Sequence, residues 1–79
     1  MPKFYFHIYN SEEIRDPEGA ELPTLAAAKM EATKAARELM AEDLTTTGEI
    51  TLSHRIDVDF EDGSQAFVLP FRACVEIHC

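Results

Sequence analysis

Cys74, His78 and Cys79 form the densest cluster of metal-capable side chains in this sequence. Structural zinc draws its ligands from two separated pairs, such as C-x₂₋₄-C with a distant H-x₃₋₅-H. Here all three candidates crowd one terminal stretch. In a strand, Cys74 and His78 would share a face while Cys79 pointed away, leaving His7 or His54 to complete a site from elsewhere in the fold. We expect a frayed terminus and no bound metal. The same residues can be drawn as a Cys–His nucleophilic pair. No orienting Asn or Asp and no Gly-rich oxyanion loop accompanies them, so no catalytic residue and no cofactor is assigned.

Carboxylates come next. Asp57, Asp59, Glu61 and Asp62 crowd one alternating segment and its turn. Such a row can serve as an acid–base pair or hold a hard cation, but a solvated face blunted against aggregation needs only the charges. Asp16, Glu18 and Glu21 with Gly19 resemble a fragment of a calcium loop that lacks its other ligand positions and closing Glu. A plain turn is expected. Tyr5, His7 and Tyr9 alternate on one side of an N-terminal segment. Aromatic side chains on a sheet can stack nucleic-acid bases, yet such platforms are framed by Lys and Arg. This one would have Asp57 and Asp59 beside it, whose charges repel a phosphate. Together with Val68 the group reads as a surface covered by protein, either a second copy, the C-terminal tail or a different chain.

Charge and composition argue the same way. The 79 residues carry fifteen Asp and Glu against seven Lys and Arg, a formal charge of −8. A surface of that sign repels phosphate backbones and suits a basic patch on another protein. Hydrophobic content of 46% supports a packed core, and the length supports one domain spanning residues 1–79. A chain this short buries only about 60% of its unfolded surface, and many such domains gain stability by associating. No secretory signal pattern and no membrane-spanning apolar stretch is apparent, so a cytoplasmic setting with reduced thiols is expected, without nucleic-acid or membrane partners.

The elements that would position these residues follow from periodicity. Lys3 to Tyr9 reads as a strand with Phe4, Phe6 and Ile8 on the opposite face from Tyr5, His7 and Tyr9. Asp16-Pro17-Glu18-Gly19 fits a type I turn, with a short edge hairpin joining Ile14 to Ala20 and Leu22. Thr24 caps a helix from Leu25 to about Leu44 whose stripe is Leu25, Ala28, Ala32, Ala35, Ala36 and Leu39, flanked by Met40. Gly48 offers a C-cap. His54 to Phe60 alternates with Ile56, Val58 and Phe60 inward, and Asp62-Gly63 signals a two-residue type I′ hairpin. That register pairs Val58 with Phe67 and Ile56 with Leu69. Pro70 ends the strand, and the tail holding Val75 and Ile77 forms an edge strand or a helical turn.

The order Phe4-Tyr5-Phe6, then Asp16-Pro17-Glu18-Gly19-Ala20-Glu21-Leu22-Pro23, an Ala-rich acidic helix, an Asp-Gly turn and Leu69-Pro70-Phe71 resembles a family of short bacterial domains of unknown function. The resemblance spans nearly the whole chain and implies no activity, cofactor or catalytic residue. A fainter similarity is to small antitoxins of the HicB type, which also place an acidic turn and a Leu-Pro-like element before an Ala- and Glu-rich helix; the strand order differs, because those domains put three strands before the helix.

The expected architecture is α+β, a three- to four-stranded antiparallel sheet with one long helix on one face, in the order β-α-β-β with a C-terminal edge element. The expected function is a non-enzymatic interaction domain that self-associates, with a regulatory role. Its alternative is an antitoxin-like binder of a basic protein. A small metal protein or enzyme using His7, His54, Cys74 or His78 stands third.

Overall fold

A computed structural model describes residues 1–79. In chain order the elements are β1 (Lys3–Tyr9), β2 (Glu13–Ile14), β3 (Ala20–Glu21), α1 (Leu25–Thr46), β4 (Arg55–Phe60) and β5 (Gln65–Pro70), followed by a 3₁₀ turn at Phe71–Cys74. One antiparallel sheet runs in the order β2-β1-β4-β5, with β3 also on β1. The class is α+β as the sequence predicts, but with five strands rather than three or four.

The two added strands correct the predicted edge hairpin. Ile14 does not pair with the segment after the turn. Instead β2 and β3 share the edge of β1 that β4 leaves free, with Ile8 opposite Ile14 and Phe4 opposite Ala20. Between them the Asp16 carboxylate accepts the Phe6 N–H at 3.1 Å. Every backbone donor needs a partner, and here one side chain supplies what a continuous strand would have supplied.

Helix α1 begins where Thr24 accepts the Ala27 N–H at 3.0 Å. It runs to Thr46, two residues past the predicted end, with the hydroxyls of Thr45 and Thr46 donating back to the carbonyls of Ala41 and Glu42. Gly48, at φ +76°, then closes it by donating to the Asp43 and Leu44 carbonyls. The buried stripe is Ala28, Ala32, Ala36 and Met40, with Ala35 and Leu39 partly covered. Leu25, predicted to join it, is 41% exposed in the first turn.

The β4–β5 hairpin keeps the predicted register, Val58 opposite Phe67 and Ile56 opposite Leu69, by a different route. Only Gly63 has positive φ, so the turn is not type I′. Phe60 accepts from Gly63 N–H and donates to Ser64, which makes a three-residue loop. Asp59 then faces Gln65, and an irregularity between Val58 and Asp59 restores the register. Phe60 ends up 38% exposed at the strand's end rather than in the core.

Core bulk comes from Phe4, Ile56, Val58, Phe71 and Cys74 beneath the alanine stripe. Phe6 and Phe67 pack at its margin. Of the two forms predicted for the C-terminal element, an edge strand or a helical turn, the chain takes the second, as the 3₁₀ turn at Phe71–Cys74. Pro70 has no N–H to extend the ladder, Phe71 N–H donates to the His54 carbonyl, and Phe71 and Cys74 turn inward. Arg37 Nε ties α1 to this turn through the Cys74 carbonyl at 2.7 Å. No helix is long and apolar enough to cross a membrane.

Candidate functional site

Because α1 and the 3₁₀ turn pack on the Phe4, Ile56 and Val58 side, the alternate residues face the other way. The register places Tyr5 opposite Asp59, His7 opposite Asp57 and Tyr9 opposite Arg55. On the next strand Val68 lies opposite Asp57. Thus Tyr5, His7, Tyr9, Asp57, Asp59 and Val68 share one face, and no secondary-structure layer of this chain covers it.

At its centre stands His7, only 5% exposed and the one buried polar residue. Its Nδ1 accepts the Asp16 N–H at 3.0 Å. A backbone amide cannot reverse that role, so Nδ1 is bare and the ring hydrogen sits on Nε2. Nε2 lies 3.2 Å from Asp59 Oδ2 and 3.4 Å from Arg15 Nη2. The Tyr5 ring stacks beside the imidazole at 6.5 Å between centroids and 15° between planes.

Asp16 organises the loop that reaches this histidine. One oxygen takes the Phe6 N–H, and the other takes Glu18 and Gly19 N–H at 3.1 and 3.0 Å. Burial opposes its charge, yet the N–H donors of Gly19, Phe6 and Glu18, with His7 nearby, outweigh that and hold the carboxyl below its ordinary range. Both carboxylate oxygens are engaged by backbone donors, of which those of Glu18 and Gly19 close the turn. Gly19 is needed twice over. Its φ is +72°, and an added Cβ would lie 3.0 Å from both Lys3 Cγ and Tyr5 Cε1.

Two arginines frame the face. Arg55 lies over the Tyr9 ring, its Cζ 4.2 Å from the centroid, while its Nε donates to Asp57 at 2.9 Å. Arg15 Nη1 donates to Tyr9 Oη at 3.2 Å and to Glu13 at 3.0 Å. Sequence reasoning singled out the tyrosines and aspartates but not Arg15 or Asp16 as parts of this group. The Asp16-x-x-Gly19 spacing signals a side-chain-closed turn, whereas its bond to Phe6 depends on tertiary placement.

The metal candidates are scattered. Cys74 is buried with Sγ directed at the Pro70 carbonyl at 3.7 Å, and burial raises its thiol against a smaller opposite effect of Arg37. His78 contacts Glu76 at the exposed tail, Cys79 is exposed, and His54 sits edge-on to Phe71. No three His, Cys, Asp or Glu side chains are grouped to hold a metal ion. Asp62 is occupied by Ser64, through both its N–H and its hydroxyl. The molecule's one groove runs open along α1 past Leu22, Met30 and Lys34, on the helix side of the sheet.

No curated protein and no solved structure matches the chain. The family described as Domain of unknown function (DUF6894) matches residues 3–72, and the chain belongs to that family.

Proposed function

We propose that this domain is a non-enzymatic interaction module that self-associates through the open face of its sheet. The observation that carries this is a sheet with one face packed by α1 and the other left to Tyr5, Tyr9, Arg15, Arg55 and the exposed Val68. Tyr and Arg are the residue types that anchor protein interfaces. Charge supports a second copy as the occupant. The chain is formally −8, but here Arg15 and Arg55 stand among Glu13, Asp57 and Asp59. A two-fold contact lets each copy's arginines meet the other's carboxylates while the acidic remainder points away.

Sedimentation equilibrium tests this. A concentration-dependent dimer is expected at micromolar protein, with Val68→Glu weakening it about tenfold or more by adding charge at the contact. A strict monomer across that range would sink the reading.

A second reading is an antitoxin-like module that masks a basic protein partner. It draws on the formal charge of −8. It also draws on element order, since three strands precede α1 here, as in the HicB type, whereas the sequence pattern shows only one clear strand. Immobilised domain that retains no small basic protein from cell extract would count against it.

A further inference from the structure

We propose that protonation of His7 unlatches the loop between β2 and β3 from the sheet and thereby weakens self-association; the second half rests on the reading of the open face given above. The latch is the bond from Asp16 N–H to His7 Nδ1. In the neutral ring with its hydrogen on Nε2, Nδ1 accepts from the Asp16 amide and Nε2–H faces the Asp59 carboxylate, with Arg15 Nη2 3.4 Å to its side as a non-bonded cation. A second proton can go only to Nδ1. The ring then presents a donor to a backbone donor, and the Asp16 amide loses its acceptor.

The groups facing the ring come from every neighbouring element. They are Tyr5 and Tyr9 on β1, Asp57 and Asp59 on β4, and Arg15 and Asp16 from the loop. However these charges balance, Nδ1 is the only atom whose role changes.

The consequence reaches the face because the loop holds so little of the sheet. Strands β2 and β3 are two residues each, and between them the one bond to β1's backbone is that from Phe6 N–H to the Asp16 carboxylate, beside the side-chain bonds to His7 and Tyr9. The next residue back, Arg15, braces Tyr9 and Glu13 on the face itself. Loosening Asp16 removes the anchor that positions Arg15.

Long-range ¹H–¹⁵N correlation of the imidazole, with amide exchange protection factors followed as pH is lowered, tests the latch. The expected result is a bare Nδ1 at neutral pH. As ring protonation proceeds, protection at Asp16 and Phe6 should fall roughly five- to tenfold, the weight of one net hydrogen bond. His7→Asn keeps an acceptor near the Nδ1 position and cannot titrate, so its protection should stay flat. A hydrogen on Nδ1 at neutral pH, or full ring protonation with unchanged Asp16 protection, would overturn the latch even if the variant fails to fold. Sedimentation over the same pH series reads the second half. Dimer weakening in the wild type but not in His7→Asn supports it. Loss of protection in a protein that is monomeric throughout leaves the latch standing and removes the link to self-association.

Discussion

Asp16 receives three backbone N–H groups on two oxygens, and one of them, from Phe6, belongs to the strand it caps sideways. Replacing it with Ala leaves those donors without a protein acceptor and should cost about 2 kcal/mol in urea unfolding at neutral pH. The pH dependence has a definite sign. The folded carboxyl lies below its ordinary range, so its stabilisation is fully present above the unfolded value near pH ~4 and is lost as pH falls through the folded one. The gap between wild type and Asp16→Ala should therefore close in acid below about pH 4. A gap that persists undiminished would mean the bonds do not depend on the charge. Gly19 and Gly48 separate two costs that are often merged. Both have positive φ, but only Gly19 has neighbours where a Cβ would go. Gly48→Ala should lose about 1 kcal/mol from backbone strain alone. Gly19→Ala should lose more, and it should also shift the Tyr5 ring resonances, because Tyr5 Cε1 lies in the way.

At the scale of elements, alanine sets how near α1 lies to the sheet. Ala28, Ala32 and Ala36 are fully buried, so the helix packs against Ile56 and Val58 with no intervening bulk. Ala32→Leu should cost about 1–3 kcal/mol by overpacking, whereas Ala26→Leu on the exposed side should change thermal stability little. Much of this layer was legible beforehand, since the stripe, the Thr24 cap and the β4–β5 register all follow from period and side-chain chemistry. The register came out right although the turn did not. A three-residue loop and an irregularity in the ladder displace the pairing in opposite senses, and the requirement that Phe67 and Leu69 face the core selects the sum. What stayed hidden is instructive. Residues 10–19 have no apolar alternation to announce a strand, and their hold on β1 passes through a carboxylate and an imidazole. Phe71 was visible as a hydrophobe, but its burial depends on Pro70 releasing the chain from the sheet so that Phe71 N–H can reach His54. The shared outer face of Tyr5, His7, Tyr9, Asp57 and Asp59 follows from alternation, whereas Arg15's arrival there depends on the loop.

On the scale of the whole molecule, net charge discriminates between the two readings of function. Two copies each at formal −8 repel over their full bodies even when the contacting faces are nearly balanced. Added salt screens that long-range repulsion, the Debye length falling from about 30 Å at 0.01 M to about 10 Å at 0.1 M. In the proposed two-fold interface the Arg–carboxylate contacts would be short and partly desolvated, and so would be screened less. Self-association should therefore tighten as ionic strength rises through this range, by several-fold in dimer dissociation constant. Binding to a basic partner has the opposite sign, because there the long-range term is attractive and screening weakens it. Sedimentation equilibrium of the isolated domain across a salt series measures the first. A dimer that falls apart with salt would mean that exposed ion pairs hold it and that the tyrosines contribute little. Arg55→Glu sharpens the test, since it removes the cation over Tyr9 and turns the face as acidic as the rest. That variant should be monomeric at low salt and regain only part of its association at high salt, because screening cannot restore the stacked arginine.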